Sequence, residues 1–319
     1  MMTKHEAVGP NRRSVLRYGG AAAAATLGAC GSGLPGGSES DWTRAVNGRI
    51  HHSVCLWCFA TSEWAWDADT LAGHAASLGM ESVELVPPDQ WPTLRKHGLG
   101  CAIAGNGMPD PPFMKGLNNP QYQEQVIEVT KRTMDACADE GVPSVIAFNG
   151  YKWNDAEDPT SGEISLEDGA RNTVAGMKEL AAYGERKGVT VCLEMLNTRD
   201  DTHPMKGHPG YQGDDIDYCA DIIRAVDSPR AKLLFDIYHV QVMNGDVMRR
   251  IREMKDIIGH IHTAGNPGRN ELHLPQEIHY PSVMETLVEV GYQGFVGHEF
   301  IPTRDPLDSL AQAVRLCDV

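Results

Sequence analysis

Residues 188–194 read GVTVCLE, and this stretch carries the clearest information about the fold. Its glycine follows a helical pattern over 166–187, which is the usual position of a residue that ends a helix. The next residues are apolar without alternating with polar ones, as in a strand buried on both faces of a parallel sheet. The stretch therefore predicts a helix-to-strand unit of an α/β fold, with the carboxylate of Glu194 at the end of the strand.

The same unit recurs in both directions along the chain. Apolar runs that predict strands cover 53–59, 82–86, 101–104, 144–148, 190–193, 231–235, 257–261 and 294–297. Helical patterns that follow them cover 67–78, 90–97, 121–140, 166–187, 214–226, 246–254, 281–290 and 307–317. Eight such units predict a closed (β/α)₈ TIM barrel over 49–319, with an open doubly wound sheet as the alternative. No glycine-rich phosphate loop follows a predicted strand.

The composition fits one large domain with a substantial core. The chain has 319 residues, of which 41% are hydrophobic and 22% are charged, and a TIM barrel commonly needs about 250 residues. The formal net charge is -15. Because so acidic a surface repels phosphate backbones, nucleic acid is not an expected partner.

Residues 1–40 differ in character from the rest of the chain. Paired arginines at 12–13 precede an alanine-rich segment that is too short to span a membrane, and together they resemble a twin-arginine export signal. Residues 27–30 read LGAC and resemble a lipobox, with Cys30 as the lipidated residue, and a Gly/Ser-rich tether follows. We therefore expect a periplasmic or membrane-anchored extracytoplasmic protein; an ordinary basic tail is the alternative.

Four successive predicted strands end in a side chain that can bind a metal ion: Glu194, Asp236, His262 and Glu299. The carboxyl ends of barrel strands meet at one face, so we expect these side chains to lie close together. A buried carboxylate is costly without a partner, and a divalent cation is the simplest shared one. The oxygen-rich set predicts Mn²⁺ or Mg²⁺, with Co²⁺ and Zn²⁺ as alternatives. His260 lies one layer deeper and is predicted to be a hydrogen-bonded core residue.

A recognisable pattern surrounds these positions. The segments read CLEMLNTRD at 192–200, FDIYHVQ at 235–241, GHIH at 259–262, NPGRNE at 266–271 and GFVGHEF at 294–300. Together they resemble the hydroxypyruvate isomerases of the xylose isomerase-like TIM-barrel superfamily, and the ligand set is also similar to that of the ketose 3-epimerases. Two departures leave the substrate open. His262 stands where hydroxypyruvate isomerases typically have Gln, as in the epimerases, and Met195 replaces a usual proline.

The resemblance implies an isomerase that acts on a small hydroxy-carbonyl compound or sugar and holds one divalent metal ion through the four strand-end residues. Glu194 and Glu299 are the candidate catalytic pair, which would move a proton through an enediolate. His239 and Arg269 would contact substrate oxygens.

Earlier strand ends supply further candidates. Glu84 and Asn106 are predicted to bind substrate, since each follows or ends a strand at the same face of the barrel. Three large aromatic residues are candidates to line the site: Trp57, Phe59 and Trp91.

Other functions are compatible with the same pattern. One is an extracytoplasmic ketose 3-epimerase or another keto-sugar-processing enzyme. Another is a non-catalytic sugar-binding lipoprotein, although the intact pair of Glu194 and Glu299 argues against it. A DNA-repair endonuclease of the same superfamily would need a basic DNA-binding face, which the charge of -15 disfavours. A homo-oligomer is compatible with all of these readings.

Overall fold

The computed structural model describes residues 44–61, 63–273 and 275–319. The predicted export signal, the tether and the candidate lipidation residue Cys30 lie outside these residues and stay predictions. Among the described helices, none combines the length and hydropathy that a membrane crossing requires.

Seven parallel strands form the main sheet, and a separate hairpin adds two more. The strands are β1 (His51–Cys55), β2 (Ser82–Glu84), β3 (Ser144–Phe148), β4 (Trp153–Asp155), β5 (Asp158–Glu163), β6 (Thr190–Glu194), β7 (Ala231–Asp236), β8 (Ile258–Thr263) and β9 (Phe295–His298). The order in the main sheet is β2-β1-β9-β8-β7-β6-β3, and β4 pairs with β5 in the antiparallel hairpin. Strands β6 to β9 are therefore consecutive neighbours, which places their carboxyl ends side by side.

The segment 100–104 closes the sheet into a barrel. Gly100 forms a parallel bridge with Ser82 of β2, and Ala104 forms one with Val145 of β3. The third predicted strand is thus present as an irregular segment between β2 and β3. The predicted TIM barrel is confirmed, with seven regular strands and one irregular one.

Helices follow the strands much as the sequence predicts. They are α1 (Ala68–Ser77), α2 (Trp91–Lys96), α3 (Pro120–Glu140), α4 (Leu166–Lys187), α5 (Ile216–Val226), α6 (Ile237–Met243), α7 (Val247–Met254), α8 (Tyr280–Glu289) and α9 (Pro306–Cys317). Helix α4 begins where the Ser165 side chain accepts a hydrogen bond from Asp168 N, and it ends at Gly188, whose φ of 78° is left-handed. The local sequence therefore sets both ends of this helix.

The structure adds helix α6 and the hairpin to the prediction. Helix α6 starts directly after β7 because the Asp236 side chain accepts hydrogen bonds from the backbone N–H groups of Tyr238 and His239, at 2.7 and 3.2 Å. The hairpin is largely exposed and polar, so it carries no apolar strand signal. The first predicted strand, 53–59, was too long, since a 3₁₀ helix over Leu56–Cys58 follows β1.

Candidate metal centre and substrate site

The four predicted ligands meet at the carboxyl ends of β6 to β9. One ligand atom from each of Glu194, Asp236, His262 and Glu299 lies within 4.8 Å of the others. Nδ1 of His262 is 3.4 Å from Glu194 Oε1 and 2.9 Å from Glu299 Oε2. All four side chains are buried. We call these four residues the carboxylate–histidine cluster.

Glu84 holds the far side of the His262 ring. Nε2 of His262 donates to Glu84 Oε1 at 2.8 Å, which turns Nδ1 toward Glu194 and Glu299. Gly297 of β9 leaves room for this pair, because a Cβ there would lie 2.1 Å from Glu84 Oε1. A glycine on β9 is therefore a requirement of the arrangement.

Glu84 lies beneath the cluster, with the His262 ring between it and the other carboxylates. Its Oε1 also lies 3.1 Å from His260 Nε2 and accepts from Cys55 Sγ at 3.3 Å. Although burial opposes it, the charges and hydrogen bonds of His260 and His262 hold the pKa of Glu84 well below its usual range. Oε1 of Glu84 is thus used by the two histidines, whereas its Oε2 has no hydrogen-bond partner among the described residues, and the substrate contact predicted for Glu84 stays a prediction.

Arg269 closes the other side of the cluster. Its NH2 group donates to Asp236 Oδ2 at 3.3 Å and also to Glu299 Oε2. The guanidinium lies 5.2 Å from the centroid of the Trp57 ring, and Trp57 Nε1 donates to Glu299 Oε1 at 2.8 Å. Arg269 has a left-handed φ of 55°, a conformation that is strained for a non-glycine residue and is often found at functional sites.

The cluster has more negative than positive charge. Burial raises the pKa of Glu194 and that of Asp236 above their usual ranges. Against the effect of burial, Arg269 and His262 hold the pKa of Glu299 well below its usual range, and Glu299 raises the pKa of His262. The charged forms of Glu194 and Asp236 are therefore disfavoured by burial, whereas the charged form of Glu299 is favoured by its two positive neighbours.

The residues present fit a divalent cation. Oε1 of Glu194 and Nδ1 of His262 are buried and lack a hydrogen-bond partner, and both face the cluster. Three carboxylates and one imidazole are a donor set that divalent cations accept, and a double positive charge would balance the cluster.

His239 presents a fixed hydrogen-bond donor at the edge of the cluster. Its Nδ1 accepts from the backbone N–H of Asn197 at 3.1 Å and contacts Asn197 Nδ2 at 2.7 Å, so the ring proton is on Nε2. Nε2 lies 3.6 Å from Asp236 Oδ2 and has no hydrogen-bond partner. Burial, with the charge of Arg269, lowers the pKa of His239, so the ring is neutral.

Three other predicted residues have contacts outside the cluster, and the substrate contact predicted for Asn106 stays a prediction. Asn106 holds its own loop, since its Oδ1 accepts from Met108 N at 3.0 Å. The prediction that Trp91 lines the site is wrong. Trp91 lines a cavity at the opposite end of the barrel, together with Phe295, the first residue of β9. Phe59 is fully buried in the main core.

Two residues near the site were missing from the prediction. Asn197 and His208 both lie in the loop between β6 and α5, and both are buried. Asn197 follows a strand end closely, which is a weak signal. His208 is fourteen positions beyond Glu194 in a loop rich in Gly and Pro, and the sequence does not reveal where such a loop places its side chains.

Fold and site together define the class of protein: a TIM barrel with a buried carboxylate–histidine cluster at the carboxyl ends of its strands. Such a cluster lies where TIM-barrel proteins carry their functional residues. The chain belongs to the xylose isomerase-like TIM barrel family, whose sequence pattern matches residues 73–318.

Curated relatives of the chain are named as isomerases. A Mus musculus protein named "Putative hydroxypyruvate isomerase" is 32% identical over 259 residues, which cover 79% of this chain and 83% of that protein. The 2-oxo-tetronate isomerase of Cupriavidus necator is 37% identical over 161 residues, which cover 49% of this chain and 59% of that protein. The Homo sapiens counterpart of the mouse protein is 37% identical over 119 residues, 37% of this chain and 41% of that protein. The matched region thus spans about half the length of two of these relatives, the Cupriavidus necator and Homo sapiens proteins.

Solved structures of this fold include proteins of several kinds. AP endonuclease, family 2 from Brucella melitensis has a TM-score of 0.69 at 22% identity and covers 82% of this chain and 98% of its own. The 3-keto-D-glucoside 4-epimerase of E. coli has a TM-score of 0.66 at 18% identity, and the match covers 84% of this chain and 100% of that one. D-Psicose 3-epimerase from Clostridium cellulolyticum, solved with D-tagatose, has a TM-score of 0.63 at 17% identity. The match covers 84% of this chain and 96% of that one. At these identities the likeness establishes the fold.

Proposed function

We propose that this protein is a metal-dependent isomerase that moves a proton between neighbouring carbons of a small hydroxy-carbonyl compound or sugar. The observation that carries the proposal is the convergence of Glu194, Asp236, His262 and Glu299 within 4.8 Å. Relatives named hydroxypyruvate isomerase and 2-oxo-tetronate isomerase support the same type of reaction.

The cluster would hold one Mn²⁺ or Mg²⁺ ion through its four side chains. A divalent cation supplies Lewis-acid chemistry that acidifies a carbon-bound proton next to a carbonyl group. The protein contributes the orientation of His262, which Glu84 fixes from behind. Burial of the cluster excludes bulk water from the proton transfer.

Glu194 and Glu299 move the proton. One carboxylate takes the proton from the carbon that bears the hydroxyl, the C–H electron pair becomes the carbon–carbon double bond, and the carbonyl π pair moves onto the carbonyl oxygen, which gives an enediolate. The proton of the substrate hydroxyl passes to that oxygen, so that the carbonyl can re-form at the neighbouring carbon. The other carboxylate, in its protonated form, returns a proton to the adjacent carbon. Glu194 ends β6 and Glu299 follows β9, and these two strands flank β7 and β8, so the two glutamates approach the cluster from different sides.

His239 and Arg269 bind the substrate oxygens. Nε2–H of His239 is a neutral donor whose tautomer is set by Asn197, so it can hydrogen-bond a carbonyl or hydroxyl without adding charge. The guanidinium of Arg269 is held over Trp57 and offers several N–H groups in one plane. With a cation in the cluster, fewer of these groups are needed to neutralise Asp236 and Glu299.

The proposal is tested by hydrogen exchange. The purified chain is loaded with Mn²⁺ and incubated in deuterated water with hydroxypyruvate, 2-oxotetronate and a panel of ketoses, and deuterium at carbon is followed by NMR. We expect uptake with at least one compound and loss of uptake on chelation. The absence of uptake from every compound overturns the proposal, and binding without uptake supports a non-catalytic sugar-binding protein instead.

A ketose 3-epimerase is the second candidate. His262 favours it, because hydroxypyruvate isomerases typically have Gln at this position. In the epimerase reaction the proton returns to the opposite face of the same carbon. The exchange experiment separates the two reactions: deuterium at C3 with inverted configuration indicates epimerisation, whereas movement of the carbonyl indicates isomerisation.

We also propose that residues 1–40 direct export by the twin-arginine route and that Cys30 carries a lipid anchor. The support is the sequence pattern alone. Replacement of Arg12 and Arg13 by Lys should retain the protein in the cytoplasm, and Cys30→Ala should release the exported protein from the membrane fraction. Export of the double arginine variant at the wild-type level would contradict the assignment.

A further inference from the structure

We propose that His208 and Phe113 form a subsite that binds a substrate hydroxyl beyond the two reacting carbons. The subsite selects polyhydroxylated substrates longer than three carbons, such as keto-sugars and sugar acids, over three-carbon compounds. It rests on the proposed function, since it concerns the substrate of the same site.

The backbone around His208 is held firmly. His208 N donates to Asn197 O at 2.7 Å. At the preceding residue, Gly207, a Cβ would lie 2.2 Å from Asp200 O, so only glycine permits this close approach. Because Asn197 also fixes the His239 ring, one loop residue sets the positions of both imidazoles.

The His208 ring is buried between aromatic neighbours. Its exposure is 2%. Its centroid lies 4.2 Å from that of Phe113 and 5.8 Å from that of His239. His239 in turn approaches Asp236, so His208 is one ring further from the carboxylate–histidine cluster.

Both imidazoles carry a nitrogen without a partner. Nδ1 of His208 and Nε2 of His239 are buried and make no hydrogen bond with the described residues. Buried polar atoms in proteins are almost always hydrogen-bonded, and exceptions call for an explanation. A hydroxylated ligand with one end at the cluster would supply partners for both nitrogens.

The chemistry of the subsite suits a hydroxyl. Burial, with the charge of Arg269, lowers the pKa of His208 to about 3, so the ring is neutral and offers one donor and one acceptor. A hydroxyl group can use either. Phe113 adds an apolar face against which the C–H groups of a carbohydrate can pack.

The test compares enzyme variants on long and short substrates. Exchange kinetics and calorimetric binding are measured for the Mn²⁺-loaded protein with D-fructose, D-tagatose, L-ribulose and the three-carbon dihydroxyacetone. The variants are His208→Leu, which removes the polar atoms, and His208→Gln, which retains them. His203→Asn serves as the control in the same loop, because Asn can keep the bond that His203 Nδ1 accepts from Met205 N at 3.1 Å.

We expect His208→Leu to weaken binding and raise KM about 10- to 100-fold for the ketoses that the wild type uses, and to leave dihydroxyacetone unchanged. His208→Gln should restore most of the loss, and His203→Asn should behave as wild type. An equal loss on long and short compounds, or no loss on either, overturns the subsite. Failure of the wild type to bind any of the ketoses also contradicts it.

The two proposals fail in different ways. If the wild type binds ketoses but no compound tested, hydroxypyruvate and 2-oxotetronate included, shows exchange, the isomerase function is wrong, while a binding loss of His208→Leu confined to ketoses still supports the subsite. If exchange occurs and His208→Leu is indistinguishable from wild type, only the subsite is wrong.

Discussion

The two halves of the barrel place different side chains at the same face. Strands β6 to β9 and the residue after β9 supply the carboxylate–histidine cluster. The other half, formed by β2, segment 100–104 and β3, supplies the buried apolar residues Ile103, Ile146 and Phe148, against which Phe113 packs. Cys192 of β6 and Leu234 of β7 belong to the same apolar cluster, so the two halves differ in the residues at their strand ends rather than in the whole wall. We call the half with β6 to β9 the charged half and the other the apolar half.

Glu84 is the exception that connects the halves. It ends β2 in the apolar half, yet its carboxylate reaches His262 of β8. Substitutions in the charged half should therefore affect activity and metal affinity, and those in the apolar half should affect stability, with Glu84 behaving as a member of the charged half.

The largest effect should come from Glu299→Gln. Loss of a carboxylate that transfers the proton should lower the exchange rate by a factor of about 10² to 10⁴ with the fold intact. Exchange kinetics and circular dichroism check this. The matched control is Glu285→Gln on the exposed surface of α8, which should keep full activity. Unchanged exchange in Glu299→Gln would remove the two-glutamate mechanism.

The next effect concerns the metal ion. Glu84→Gln removes the charged partner of His262 Nε2, so Mn²⁺ affinity should fall about 10- to 100-fold. Titration of free Mn²⁺ by electron paramagnetic resonance measures the affinity without any substrate. Glu81→Gln, an exposed carboxylate just before β2, should bind Mn²⁺ as wild type does. Equal affinity in both variants would assign Glu84 to the apolar half.

A third prediction compares the two faces of β9. Glu299 faces the charged cluster, whereas His298 forms a buried pair with His52, whose Nδ1 lies 3.2 Å from His298 Nε2. Burial lowers the pKa of His52 to about 4, while an unfolded histidine titrates near about 6.5. The unfolded chain therefore takes up the proton first, and stability falls as the pH drops from about 6.5 to about 4.

Between pH 7 and pH 5, His52 should contribute about 2 kcal/mol to the loss in the free energy of unfolding. Urea unfolding at the two pH values measures it, and His52→Gln should show a correspondingly smaller loss. A wild-type dependence in His52→Gln would show that other groups carry the acid sensitivity.

The smallest effect should come from the apolar half. Ile146→Val removes one methylene from the buried face of β3 and should lower the free energy of unfolding by about 0.5–1.5 kcal/mol. Mn²⁺ affinity and exchange should stay unchanged. Ile257→Val, at a half-buried position, should cost less. A fall in metal affinity with Ile146→Val would show that the two halves are not separable.

Much of the fold was predictable from local signals. The helix over 166–187 and the strand over 144–148 were predicted with the bounds that the structure has, because glycine stops and uninterrupted apolar runs mark them. Helix α6 was not predicted, because its start depends on the Asp236 side chain, which the sequence pattern had identified only as a strand end. The irregular segment 100–104 shows that a strand can occupy its place in the barrel with few regular pairs.

The sequence by itself determined the alternation of strands and helices and the polar residue at each of the last four strand ends, since both are encoded in neighbouring residues. Only the tertiary structure decided that Glu84 supports His262, 178 positions away, and that His208 lies beside His239. The physical reason is that closure of the barrel and the path of a loop bring distant residues together. Such contacts depend on the packing of the whole molecule and leave no periodic signal in the chain.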